Sequence, residues 1–343
     1  LALFAWRAPR VGLGGAFELV SRESMLLANT VLLLVAFAAV LLGTLYPLVI
    51  DALGLGKLSV GPPYFDAVFV PLMAPVLFLM GVGPLARWRQ ASAIDLARRL
   101  RWALAVSAVA AVLAPWLLGS WKPLVGFGLF LAFWIACSTA LALHERVRRH
   151  PLAQWPARLA AQPGSFYGML LAHWGVAVFI VGVTVVNGYQ REIDVTMEPG
   201  ETTELAGYTF RLDGVSKERG PNYVADRATL TVMRDGQPVT RLQPERRLYT
   251  ASRNASPMTE AAIESGITHD LYAALGDPLG GQRWIVRLYF KPFVDWIWAG
   301  CLVMALGGLF AVLDRRYRLR RRPAPAPRPE PASHPAAPRA AKA

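Results

Sequence analysis

Six apolar runs decide what this chain can fold into. They fall at about 25–47, 65–86, 102–119, 123–143, 166–187 and 293–313. Several reach the roughly 20 residues that a helix needs to cross a bilayer core. Lipid offers no partner to bare backbone, so such runs must be helices that satisfy their own N–H and C=O groups. The pattern predicts a polytopic α-helical membrane protein, and a composition of 54% hydrophobic and 17% charged residues agrees. The chain begins with Leu, and Leu1 to Trp6 (LALFAW) reads as the end of an earlier span. It is expected to be a fragment or a processed piece without an intact signal peptide.

Lys and Arg set the orientation. The segments 1–24, 87–101, 144–165 and 314–343 carry 3, 5, 4 and 9 basic residues, whereas the loops 48–64 and 120–122 carry one each, Lys57 and Lys122. The basic segments are expected to face the cytoplasm, which places both ends of the chain there. The membrane part is expected to cover 1–187 and 293–313. The formal charge of +13 is then topological and does not point to nucleic acid. The stretch 314–343 is basic and rich in Pro and Ala, most of all from Pro323 onward; it cannot bury a core and is expected to be a disordered cytoplasmic tail.

The segment 188–292 falls on the outer side. It holds 13 basic and 14 acidic residues and reads as one small antiparallel β domain. Arg227 to Val232 (RATLTV) alternates polar and apolar, Asp235-Gly236 follows as a hairpin turn, and Val239 to Tyr249 returns. Tyr208, Phe210 and Leu212 form another alternating face, and Trp284, Val286, Leu288 and Phe290 form a last strand that leads into the sixth span. Thr259 to Gly276 is expected to hold short helical turns.

Of five histidines, His144 and His150 lie in a basic loop, His269 in the outer domain and His334 in the tail; each reads as a solvated polar residue. His173 differs, because LAHWGVAVFI places it inside a span, roughly 10 Å deep. An ionisable residue at that depth is a functional-site candidate, against the plainer reading of an interhelical hydrogen bond. Gly168, Gly175 and Gly182 recur every seven residues on the side away from it. They make one face smooth enough for close helix packing. The other face carries His173 with Met169, Ala177, Ile180 and Thr184. A neutral imidazole on an apolar face suits an axial bond to haem iron, with the second ligand outside this chain. Pro71, Pro75 and Pro84 are expected to kink the second span, Asp66 to cap its start, and Trp296 and Trp298 to form an interfacial belt. Cys137 and Cys301 lie in apolar runs with no C-x-x-C, which points to small buried hydrophobes rather than a dithiol. There is no G-x-x-x-x-G-K-[ST], H-E-x-x-H or G-x-S-x-G, so no self-contained catalytic constellation is read here.

Several stretches resemble one family, the cytochrome c maturation protein CcmF and its haem-lyase relatives, including NrfE- and CycK-like proteins. They are FAWRAP, SRESMLLANTVLLL with LLGTLYPL, VGPPYFDAVFVPLMAPVLFLMGVGPL, LAHWGVAV with REIDVTMEPGE, and KPFVDWIWAGCLVMALGG with LDRRYR. Their order and the span–domain–span layout match as well. The resemblance implies a bacterial inner-membrane protein whose 188–292 domain is periplasmic. It implies transfer of haem, the substrate, from a CcmE-like haem chaperone to the C-x-x-C-H motif of apocytochrome c. It also implies CcmH/CcmI-like apocytochrome-handling subunits as partners and a structural haem b held by two transmembrane histidines. His173 matches the second of these and is the one cofactor-binding and metal-ligating residue carried over. The family's W-W-D motif, its two flanking outer histidines and its first haem-b histidine have no counterpart here. The resemblance is therefore to the C-terminal half, the first ligand belongs to the N-terminal half of the same protein or complex, and no catalytic residue is assigned in this chain. Two other classes stay open: a transporter or permease subunit for haem or a small molecule, and a membrane scaffold of a maturation complex.

Overall fold

The structure is a computed structural model and describes residues 6–7, 18–250 and 256–314. The readings made of Leu1 to Ala5, of His334 and of the tail from 315 onward lie outside the described residues. Six long helices and a β-sandwich make up the fold.

Four of the six long helices begin earlier than the apolar runs suggest, and in two of these a serine cap sets the start. Helix α1, Arg22–Ala52, starts with a reciprocal box in which Ser24 N–H donates to Ser21 Oγ at 3.1 Å and Ser21 N–H to Ser24 Oγ at 3.1 Å. Helix α2, Pro62–Val82, opens on a Pro pair, whose missing N–H groups need no partner there. Asp66 therefore sits in the fifth helical position and does not cap the start, contrary to expectation. The helix runs through Pro71 and Pro75 as one element, and Gly83–Leu85 then tighten into a 3-10 turn. Helix α3, Ala93–Leu117, is capped by Ser92 Oγ, which accepts from Asp95 N–H at 3.3 Å; this cap puts the start nine residues before the apolar run. Helices α4 (Pro123–Val147), the short α5 (Trp155–Ala160), α6 (Gly164–Tyr189) and α7 (Val294–Leu313) complete the set. All but α5 are long and apolar enough to cross a membrane.

Two packing devices hold the bundle. Trp134 of α4, 2% exposed, stacks on Phe78 of α2 at 5.1 Å and donates its indole N–H to the Phe78 carbonyl at 2.9 Å. Gly81 makes room for it, since a Cβ there would lie 2.7 Å from Trp134 Cδ1. Helices α6 and α7 meet through glycine. A Cβ at Gly175 would lie 2.6 Å from Met304 N and 2.8 Å from Gly300 O, and one at Gly307 would lie 2.6 Å from Ala172 N. These are backbone approaches that only small residues permit.

Both ends of the bundle are defined by polar contacts. At one, Lys122 Nζ donates to the Gly188 carbonyl at 2.6 Å, so the α3–α4 turn lies beside the end of α6, where the β domain begins. At the other, Ser165 N–H donates to Asp314 Oδ2 at 2.8 Å and Glu23 Oε2 accepts from Arg89 N–H at 2.7 Å. The arginine-rich segments gather at this second end.

The sandwich has two antiparallel sheets. One has the order β1 (Arg191–Met197), β10 (Arg283–Pro292), β9 (His269–Gly280), β8 (Ala262–Glu264). The other runs β2 (Thr202–Leu205), β3 (Tyr208–Arg219), β4 (Tyr223–Arg234), β6 (Glu245–Tyr249), β7 (Met258–Glu260), and β5 (Gln237–Leu242) also pairs with β4. Phe210, Leu212, Leu230 and Val232 of the second sheet and Ala273, Leu275, Val286 and Leu288 of the first are fully buried between them. Each such Leu or Val contributes about 1.5–3 kcal/mol by leaving water. The Asp235-Gly236 turn is as expected, both residues having positive φ (51° and 76°). The helical turns expected over Thr259 to Gly276 are absent, and β7, β8 and most of β9 occupy that stretch. Backbone pairing of Leu271, Tyr272 and Ala273 with Phe290, Tyr289 and Leu288 overrides the helix propensity of this Leu- and Ala-rich run.

Candidate functional site

His173 is the tenth residue of α6, about 14 Å along the axis from its start. Its Nδ1 lies 2.8 Å from the Met169 carbonyl, one turn back on the same helix. A carbonyl only accepts, so Nδ1 carries a proton, and in the neutral ring the lone pair then sits on Nε2. Among the described residues Nε2 takes part in no hydrogen bond, and His173 is half-buried. The ring is thus oriented by its own helix and leaves Nε2 without a partner. Metal-ligating histidines are commonly held this way, with the second ring nitrogen bonded to a carbonyl.

The two faces of α6 behave as the heptad of glycines predicts. Gly168, Gly175 and Gly182 press on α7. On the histidine side, Ala177 and Ile180 are buried with Trp134, Ile135 and Ala132 of α4, and the Thr184 side chain fills the space above Gly128. An imidazole with an oriented, unpartnered Nε2 in apolar surroundings fits the chemistry of a ligand to haem iron.

The other described histidines do not join it. His144 stands edge-on to Trp155 at 5.7 Å, and the His150 carbonyl accepts from the Trp155 indole at 3.1 Å, both near the arginine-rich end. His269 corrects the expectation of a solvated residue. Its Nε2 lies 2.7 Å from Tyr208 Oη, its Nδ1 2.9 Å from Thr268 Oγ1, and its ring stacks on Phe290 at 5.1 Å. Burial, and then the Arg234 guanidinium, push its pKa down, with Asp270 opposing. Burial, with Asp295 nearby, pushes the Asp270 carboxyl up against the hydrogen bond it accepts from Gly266 N–H at 3.1 Å. Trp296 is more than an interfacial ring, because its indole donates to the Ile267 carbonyl at 3.0 Å and so ties α7 to the sandwich. Trp298 is exposed on the helix surface. Cys137 is half-buried in the helical core, and Cys301 faces outward.

One polar cluster has no signal in the sequence. Arg99 Nε donates to Glu145 Oε1 at 2.9 Å, its Nη1 donates to the Leu85 carbonyl at 3.1 Å, and its Nη2 binds Glu145 Oε2. The partners are 46 residues apart, and basic spacing alone shows Arg99 only as one of a run.

Comparison with known proteins bears on most of the chain. A family model described as CcmF C-terminal beta-sandwich matches residues 188–292. Cytochrome c-type biogenesis protein CcmF of Pseudomonas aeruginosa is 45% identical over 333 residues, which is 93% of this chain and 48% of that protein. The CcmF of Escherichia coli is 45% identical over 328 residues, with 94% and 48% covered. NrfE of Haemophilus influenzae is 33% identical, with 88% and 45% covered. A solved structure titled Cytochrome c Heme Lyase CcmF superposes with a TM-score of 0.66 at 27% identity, covering 86% of this chain and 46% of that one. The chain spans about half the length of the curated relatives it matches.

Proposed function

We propose, from the premise that this chain corresponds to the C-terminal half of the CcmF family, that it works in cytochrome c-type biogenesis as the C-terminal part of a haem lyase. The observation that carries this reading is the oriented, unpartnered Nε2 of His173 on a helix fixed by glycine packing. His173 would be one of two histidines that hold a haem b, the other belonging to the N-terminal half. Bound there, a haem b supplies an electron relay that keeps transferred haem reduced. The thioether-forming site lies in the N-terminal half. The sandwich lies in the periplasm, where it helps dock a CcmE-like haem chaperone, apocytochrome c or CcmH/CcmI-like subunits. The arginine-rich end lies in the cytoplasm, and the membrane is the bacterial inner membrane.

The test is to purify the chain together with its N-terminal half and record oxidised and dithionite-reduced visible spectra. The expected signal is a six-coordinate, low-spin b-type haem that His173→Ala loses and Trp174→Ala keeps. An unchanged spectrum in His173→Ala would overturn the ligand assignment. A folded complex without haem would overturn the proposal as a whole.

A further inference from the structure

The arginine-rich end of the bundle carries more than a charge bias. The Arg99–Glu145 pair forms the floor of a polar pocket of about 400 Å³ between the ends of α2, α3 and α4. Arg99 is fully engaged, by Glu145 and by the Leu85 carbonyl. Arg87 and Arg149 also line the pocket, and neither has an ion pair or side-chain hydrogen bond among the described residues. Arg148 reaches Glu145 only at 3.8 Å. Asp95 is the one further carboxylate on the wall, so the pocket keeps an excess of positive charge. Its three outer guanidinium groups are exposed. Beside it the Trp88 ring is 59% exposed with the Arg22 guanidinium 4.8 Å from its centre, as at a membrane–water boundary.

A pocket of this kind selects its ligand by charge, shape and depth. Guanidinium forks match the paired oxygens of a phosphate. The ends of membrane-spanning helices lie at the level of lipid phosphates, and basic pockets between such helices are suited to anionic headgroups. We propose that Arg87, Arg148 and Arg149, set around the Arg99–Glu145 floor, bind the phosphate of an anionic phospholipid. The site is independent of His173 and of the haem-lyase reading.

The full chain in neutral detergent, titrated with phosphatidylglycerol, phosphatidylcholine or inorganic phosphate and read by native mass spectrometry, tests this. Phosphatidylglycerol is expected to bind at least tenfold more tightly than phosphatidylcholine. The double variant Arg87→Gln/Arg149→Gln should lose roughly tenfold or more of that affinity, the scale for two near-surface arginines. Arg98→Gln/Arg101→Gln, on the same end of α3 but outside the pocket, should change it less than about twofold, since screening leaves little attraction at a distance. Arg87→Lys/Arg149→Lys keeps the charge without the fork and should fall between wild type and the Gln pair. Equal losses in the two Gln pairs would reduce the pocket to diffuse surface charge and overturn the proposal. Equal binding of the two lipids, or displacement of lipid by inorganic phosphate at the same concentration, would also overturn it.

Discussion

His173 and His269 are the same residue type put to opposite uses by their surroundings. His173 bonds within its own helix and leaves Nε2 free, whereas His269 uses both ring nitrogens and becomes a structural link between the two sheets. Position in an apolar run was enough to single out His173. Nothing local marks His269, because its partner Tyr208 is 61 residues away and the two meet only through sheet stacking. The link has a pH consequence. Its folded pKa lies below the ordinary 6.5, so unfolded His269 takes up a proton first on acidification. Its stabilisation is therefore complete above about pH 6.5 and is lost as pH falls through the folded value. Asp270 is shifted upward and works in the other direction, favouring the folded state at the acid end and losing that effect as pH rises. Thermal melting of the full chain from about pH 7 to 5 should show the decline due to His269, and His269→Gln should flatten it. A variant with the wild-type pH profile would place the decline elsewhere.

Among the elements, α6 and α7 were the most legible. Their glycines recur at Gly168, Gly175, Gly182, Gly300 and Gly307, and helical periodicity alone aligns the first three on one face. The stretch Thr259 to Gly276 was the least legible. Short strands β7 and β8 pair with β6 and β9, their neighbours in sequence, but no two-residue turn announces them. The floor pair Arg99–Glu145 escaped because its partners lie 46 residues apart. Close packing makes a sharp prediction. Gly175→Leu must push α7 away, because the atoms it meets include the backbone Met304 N and Gly300 O, which cannot turn aside as the Met304 side chain can. A loss of about 1–3 kcal/mol is expected, the usual cost of overpacking. Thermal melting in detergent measures it. Gly308→Leu, which meets nothing within 4 Å, is the control and should leave melting unchanged.

At the scale of the whole molecule, the membrane bundle and the sandwich are joined twice, and both joints are short. Helix α6 ends at Tyr189 and β1 starts at Arg191; β10 ends at Pro292 and α7 starts at Val294. The two helices pack on each other, and the two strands pair from Arg191↔Phe290 to Met197↔Trp284. Phe293 fills the second joint in a left-handed conformation (φ 57°), donates its N–H to the Thr268 carbonyl at 2.9 Å and packs with Val125, Leu129 and Val185. No slack separates the β domain from the helix that carries His173.

That arrangement makes residue number, more than residue identity, the quantity that each joint depends on. One alanine inserted after Gln190 cannot be absorbed as it would be in a loop. It must either turn α6 by about 100°, which moves the glycine face off α7, or shift β1 by one residue, which sends every inward side chain of β1 to the opposite face. Such an insertion should lower melting far more than Gln190→Ala, which preserves the count, and should erase the haem spectrum proposed for His173. Recovery by deleting a residue elsewhere in β1 would show that the joint is read as a length, in the way a gear is read by its teeth.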